Sequence, residues 1–199
     1  MSCKSKSYLL GSALLTLSSC GGGSPPADPA TPGISAPTGP YYDVRRFLDG
    51  QVGLLNARHM GATKQTSLRD KAYEQATVPK VKWADELQIF YQADINKAAL
   101  RGAYILDSLV VPGQGLRRTY TLRPGFPHAS VLRLAVSGPL VGFPQRIEAQ
   151  IRQDNTLFYA AKSLDMHFEG GQLRTYQVRG VQKLVLFDSL RFNMSARVL

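Results

Sequence analysis

The stretch that decides the fold is Gln145–Phe168, QRIEAQIRQDNTLFYAAKSLDMHF. Its apolar residues recur at every second position, as Ile147, Ala149 and Ile151, and then as Leu164, Met166 and Phe168. Successive side chains of a strand point to opposite faces of a sheet, so this period predicts strands with one buried and one wet face. Asp154-Asn155 favours a short turn between the two halves. The stretch therefore predicts an antiparallel hairpin.

The same alternation extends in both directions from this hairpin. It predicts seven strands: Ala103–Val110, Leu116–Leu122, Ser130–Val136, Gln145–Gln153, Thr156–Phe168, Leu173–Gln182 and Leu190–Val198. Glu169-Gly170-Gly171 and Pro112–Gly115 are typical of the turns between such strands. The pattern indicates an antiparallel meander with one apolar face that needs a cover.

Helical periodicity precedes the strands. An apolar stripe at spacings of three and four consists of Val44, Phe47, Leu48, Val52 and Leu55. It predicts a helix with Asp43 as N-cap and Gly61 as its stop. Trp83, Leu87 and Phe90 fall on one face, with Tyr91 as a further candidate, so Trp83–Ala93 predicts a second amphipathic helix. Thr63–Leu68 with Ala72–Val78 predicts a polar hairpin. The expected class is α+β: two N-terminal helices plus a polar hairpin, then a curved, half-barrel-like meander of about seven strands.

The N-terminus has the three parts of a secretory leader. Lys4 and Lys6 are positive, Tyr8–Leu17 is apolar but too short to span a bilayer, and Leu17-Ser18-Ser19-Cys20 follows. This last run resembles the lipobox of bacterial lipoproteins. The resemblance implies cleavage before Cys20, alkylation of its thiol by diacylglycerol and later acylation of its amine with a fatty acid such as palmitate. A soluble protein whose cysteine happens to follow a leader is the alternative.

The expected organisation is a signal peptide over 1–19, a lipidated Cys20 with a linker over 20–40, and a single folded domain over 41–199. Eleven of the twenty residues from Gly21 to Pro40 are Gly or Pro, which is typical of an extended spacer. By the sorting rule of such lipoproteins, Gly21 in place of Asp implies the outer membrane. We expect the domain to face the periplasm.

Composition limits the classes of partner. The chain has 24 Lys+Arg and 14 Asp+Glu, a formal net charge of +10, but the basic residues are scattered and form no run typical of nucleic-acid binding. We therefore expect a solvated cationic surface and no nucleic acid. The only cysteines are Cys3 and Cys20, so no disulfide is expected in the mature domain.

A wider resemblance rests on three runs: Phe47-Leu48 with Leu54–Asn56, Lys82–Lys97, and Arg146–Ala149. Together they resemble a group of small uncharacterised lipoproteins of Gram-negative envelopes. The resemblance implies a shared fold and envelope location. It implies no reaction and no functional residues.

Residues able to do chemistry are few. His59, His128 and His167 lack partners at metal-ligand spacing, and no serine elbow or phosphate loop is present, so no catalytic residue, metal or cofactor is expected.

Adjacent Asp85 and Glu86 should point apart on a helix. We interpret Asp94 with Asn96 and Lys97 as a helix-ending turn. Two aromatic pairs, Tyr41-Tyr42 and Phe158-Tyr159, could line a groove but favour core packing.

Three functions are compatible with these observations. The first is a non-catalytic envelope module that binds a protein partner while anchored to the membrane by lipid. The second is a carrier or sensor of a lipid or other apolar ligand in a half-barrel cavity, an analogy at the level of fold alone. An enzyme acting on glycans or cell wall comes third, because nothing in the sequence requires it.

Overall fold

A computed structural model of the chain describes residues 40–69, 71–113 and 115–199. The leader over 1–19, Cys20 and the linker up to residue 39 lie outside the described residues. The elements, in chain order, are α1 (Val44–Ala57), β1 (Ala62–Leu68), β2 (Glu74–Val78), α2 (Trp83–Glu86), 3₁₀ segments Gln88–Ala93 and Ala98–Leu100, β3 (Tyr104–Val111), β4 (Gly115–Leu122), β5 (Val131–Gly138), β6 (Arg146–Asp154), β7 (Phe158–Glu169), β8 (Gln172–Leu184) and β9 (Leu190–Val198).

The nine strands of the described residues belong to one open antiparallel sheet, with the order β2-β1-β9-β8-β7-β6-β5-β4-β3. The broad α+β class is thus confirmed, but the sheet has nine strands rather than seven. The two additional strands are β1 and β2 of the polar hairpin. This hairpin was predicted to be separate from the meander, but it joins the sheet next to β9. β1 pairs with β9 from Ala62↔Val198 to Leu68↔Phe192, so the first and last strands of the described residues are neighbours in the sheet.

Helix α1 begins as predicted and ends earlier than predicted. The Asp43 carboxylate accepts a hydrogen bond from the backbone N–H of Arg46 at 2.9 Å, which satisfies one free donor of the first turn. The chain reverses at His59, whose φ is 52°, and not at Gly61. Gly61 has another role: a Cβ there would lie 2.8 Å from the carbonyl oxygen of Val78. The prediction of Gly61 as the stop was therefore wrong, because the helix ends at Ala57 and His59 adopts the positive φ. A glycine is required at position 61 because the carbonyl of Val78 approaches it closely.

The second predicted helix is a single α turn followed by a 3₁₀ segment. The buried residues Leu87, Phe90 and Ala93 recur at intervals of three, which matches the three residues per turn of a 3₁₀ helix. Trp83 is buried as predicted, and its indole N–H donates to the carbonyl oxygen of Met60 at 2.9 Å. The amphipathic stripe was therefore predicted correctly, but the helix type was not.

The helical layer covers one face of the sheet. Fully buried side chains from neighbouring strands fill that face, among them Leu134, Ile147, Leu164, Met166, Leu173 and Tyr176. Phe90 packs edge-on against Tyr176, with ring centroids 5.6 Å apart. Gln51 ties α1 to the β7–β8 turn, because its amide donates to the carbonyl of Gly171 (2.7 Å) and accepts from the N–H of Leu173 (2.8 Å).

One polar cluster lies within this layer. Glu86 of α2 accepts a hydrogen bond from the Tyr176 hydroxyl at 2.6 Å and forms an ion pair with Lys64 of β1. Burial, together with the bond to Glu86, raises the pKa of Tyr176 above its ordinary value. The cluster fastens α2 to strands β1 and β8. Within the described residues, no helix has the length and hydropathy needed to cross a membrane.

Candidate functional site

The face of the sheet opposite the helices, here called the polar face, carries the candidate site. Strand alternation collects hydrophilic side chains on it. One row across seven neighbouring strands consists, in register, of Thr63, Arg197, Thr175, His167, Arg146, Ser137 and Arg117. The next row of the same face contains Gln65, Ser195, Gln177, Asp165 and Glu148. The polar face therefore has rows of charged, amide and hydroxyl side chains that run across neighbouring strands.

A chain of ion pairs fixes the centre of the polar face. Arg146 donates two hydrogen bonds to Asp165, from Nε to Oδ1 (3.0 Å) and from Nη2 to Oδ2 (2.7 Å). Glu148 lies between two arginines, 3.0 Å from Arg117 Nη2 and 3.2 Å from Arg146 Nη2. His167 Nε2 is 3.3 Å from Asp165 Oδ1. The bidentate geometry holds these side chains in one arrangement.

The electrostatics of Asp165 follow from these contacts. Burial would raise the pKa of its carboxyl, but the hydrogen bonds and charge of Arg146, and then His167, outweigh burial and hold the pKa below its ordinary value. The hydrogen bond to Asp165 in turn raises the pKa of Arg146. Asp165 is therefore a carboxylate acceptor at neutral pH.

A groove of about 560 Å³ lies beside this chain of ion pairs, and we call it the amide groove. Its polar lining consists of Thr63, Gln65, Asp165, His167, Thr175, Gln177, Ser195 and Arg197. Hydroxyl and amide side chains both donate and accept hydrogen bonds. The amide groove can therefore bind a neutral polar group, such as an amide or a hydroxyl, as well as a charged one.

A second groove, of about 700 Å³, lies farther along the same face, and we call it the basic groove. Arg152, Arg179 and Arg191 line it, and no Asp or Glu is among the described residues that do so. Lys162 also borders the groove, but its ammonium donates to Gln92 of the helical layer (3.1 Å). The three arginines therefore give this groove its cationic character, which suits an anionic group.

The histidines were predicted to lack partners at metal-ligand spacing; the structure adds a carboxylate neighbour for His167 that the sequence did not indicate. Asp165 precedes it by two positions, and residues two apart in a strand share a face. His59 closes helix α1, and His128 is exposed in the β4–β5 loop. Across the part of the chain that the structure describes, no three His, Cys, Asp or Glu side chains group closely enough to hold a metal ion.

The remaining candidates are structural. Glu86 faces the sheet while Asp85 is exposed, as the prediction that they point apart requires. Asp94 accepts from the N–H of Asn96 at 3.0 Å, which confirms the predicted turn. The Asn96 amide also donates to the carbonyls of Tyr41 (3.2 Å) and Tyr42 (3.0 Å).

The two aromatic pairs differ from each other. Tyr41 and Tyr42 are buried, so core packing is confirmed for them. Tyr159, in contrast, is partly exposed and lines the basic groove. The interpretation of core packing was therefore wrong for this tyrosine.

The basic groove was not predicted from the sequence. Arg152, Arg179 and Arg191 are far apart in the chain, and each appeared as an isolated charge. They meet because β6, β8 and β9 turn the same face outward. No protein-family model, curated protein or solved structure matches this chain, so its functional assignment rests on its own residues.

Proposed function

We propose that this chain is a lipoprotein of the bacterial cell envelope that acts as a non-catalytic binding module. In this proposal the amide groove is its contact surface for another envelope protein. The observation that carries the proposal is the pairing of an open groove, rich in donors and acceptors, with a fixed chain of ion pairs along its edge. Side chains already held in place lose less conformational entropy when a partner binds.

The anchor is the second part of the proposal. Leu17-Ser18-Ser19-Cys20 supports lipidation of Cys20, and Gly21 supports the outer membrane facing the periplasm. A linker of about twenty residues, extended at about 3.1 Å per residue, reaches ~60 Å. Such a spacer allows a folded domain to reach a partner away from the bilayer.

The carrier function, with its half-barrel curvature and internal cavity, stays a prediction with less support. A cavity for an apolar ligand would have to lie between the helices and the sheet. The described residues fill much of that space with fully buried side chains, including Trp83, Phe90 and Leu48. The polar face offers groups suited to hydrogen bonding instead. That the chain is not an enzyme also stays a prediction.

Site-specific photocrosslinking in intact cells tests the amide groove. We would place a photoreactive residue at Gln65, which is exposed in the groove, and a matched one at Lys97, which is exposed at the helical layer. We expect one defined protein adduct from position 65 and none of the same mass from position 97. A substitution that fills the groove, Ser195→Phe, should abolish that adduct while the protein keeps its thermal unfolding midpoint. Identical adducts from both positions, or none from position 65, would contradict the proposal.

A further inference from the structure

Two adjacent turns of the sheet carry a cluster of exposed apolar side chains, which we call the apolar tip: Leu157, Leu184, Val185, Leu186 and Phe187. Leu157 belongs to the β6–β7 turn, and the others to the end of β8 and the β8–β9 turn. Leu186 is 92% exposed, and Phe187 and Leu157 are each 70% exposed. Single exposed apolar residues are ordinary, but a contiguous group of this kind marks an interaction surface.

Local hydrogen bonds hold the apolar tip in shape. The N–H of Val185 donates to the carbonyl of Leu157 at 3.2 Å and joins the two turns. The Asn155 side chain accepts from the N–H groups of Leu157 (3.0 Å) and Phe158 (2.9 Å). The N–H of Phe187 donates to the carbonyl of Leu184 at 3.1 Å. The backbone therefore presents these side chains outward in a defined turn structure.

Basic residues follow directly behind the apolar tip. Arg152, Lys183 and Arg191 lie on the strands that lead into the two turns, and two of them line the basic groove. Asp154 and Asp188 also lie at this end, so among these described residues there are three cationic groups and two anionic ones, and no acid is among the described residues that line the groove. An apolar end with cationic groups just behind it is complementary to the interface of a bilayer that contains anionic phospholipids.

We infer that the apolar tip inserts into the interfacial layer of an anionic bilayer, while the arginines of the basic groove contact lipid phosphates. This contact is separate from any lipid on Cys20 and from the amide groove. A lipid on Cys20 would hold the chain at the membrane but would not by itself set which side of the domain faces the lipid. The second contact would fix its orientation, with the β6–β7 and β8–β9 turns facing the lipid.

A polarity-sensitive dye at the apolar tip tests the inference. We would use the full chain with C3S and C20S, and attach the dye through Leu186→Cys. The matched control is Val141→Cys, which is 89% exposed in the β5–β6 loop, at the opposite end of the antiparallel strands. The two proteins carry the same leader, so adsorption through the leader affects both dye positions equally.

The probes are vesicles of phosphatidylcholine with and without phosphatidylglycerol. We expect the dye at position 186 to shift to the blue, and to be quenched by brominated acyl chains, when phosphatidylglycerol is present. The dye at position 141 should show neither effect. R152Q and R191Q should each weaken the apparent affinity by about fivefold, as expected for one basic group near an anionic surface.

Three results would overturn the inference. They are an equal response at positions 141 and 186, no response at position 186, or the same response without phosphatidylglycerol. None of them would affect the crosslinking test at Gln65, because that test reports on a different surface.

Discussion

Asp165 is the residue on which the chain of ion pairs depends, since it accepts from Arg146 twice and contacts His167. Its folded pKa lies below its value of about 3.9 in an unfolded chain. A carboxyl with a lowered folded pKa stabilises the protein above the unfolded pKa, and this stabilisation is lost as the pH falls through the folded pKa. The stability contributed by Asp165 should therefore be complete near neutral pH and disappear in acid.

We expect Asp165→Asn to lower the free energy of unfolding by about 1–2 kcal/mol at neutral pH, the lower part of the range for hydrogen bonds between charged groups, because the site is partly exposed. The difference from the wild type should shrink as the pH falls below the ordinary carboxyl pKa of about 3.9 and then through the lowered folded pKa of Asp165. Urea denaturation over a series of pH values measures both quantities. Asp107→Asn, at an exposed site on the same face, is the control and should change stability by less than about 0.5 kcal/mol. A difference for Asp165→Asn that does not vary with pH would contradict this account.

Single residues were predictable from the sequence where the cause is local. Asp43 was predicted as N-cap because its acceptor function involves a backbone N–H three residues away. The partner of Asp165 was not predictable in this way, because Arg146 lies on the neighbouring strand. The contact depends on the cross-strand register, in which His167 lies opposite Arg146. That register is a property of the turn geometry and not of either residue.

Helix α1 contains two glycines that its packing does not require. A Cβ built at Gly50 or Gly53 would meet no atom within 4 Å, and neither residue has a positive φ. Glycine in a helix interior costs about 0.5–1 kcal/mol relative to alanine, mainly through the entropy of the unfolded chain. We expect Gly50→Ala and Gly53→Ala each to raise the free energy of unfolding by that amount, measured by chemical denaturation. Gly61→Ala is the matched control and should lower stability, since its Cβ would meet the carbonyl of Val78. Destabilisation by Gly50→Ala would show that α1 is not packed as described.

Strand positions were predicted well because alternation is a strong local signal. The seven predicted meander strands match β3 to β9 within a few residues. The second helix was harder to predict, because α and 3₁₀ helices both place residues i and i+3 on one side. The run from Leu87 to Ala93 fits either period, and the contacts with the sheet, such as that of Phe90 with Tyr176, belong to the tertiary structure.

Local sequence patterns predict only part of the strand order in the whole sheet. Neighbouring strands joined by short turns were expected to pair, and they do. The pairing of β1 with β9 joins residues about as far apart as the domain allows, and no local pattern encodes such a contact. The grooves of the polar face depend on this pairing, because Thr63 and Gln65 of β1 complete the lining of the amide groove.

The anchor makes a prediction for the whole molecule that requires no knowledge of the partner. The resemblance of Leu17–Cys20 to a lipobox implies that the thiol of Cys20 is alkylated before the leader is removed. The wild-type chain should therefore incorporate labelled palmitate, partition into detergent and have a mass that fits a lipidated chain beginning at Cys20.

Cys20→Ser should retain the leader and incorporate no label, since a hydroxyl is a much weaker nucleophile than a thiol. Cys3→Ser removes the other cysteine and should change neither label nor mass, because residue 3 is lost with the leader. An unmodified wild-type chain that begins at Met1, or labelling that persists in Cys20→Ser, would mean that this domain is held at the membrane by some other contact or not at all.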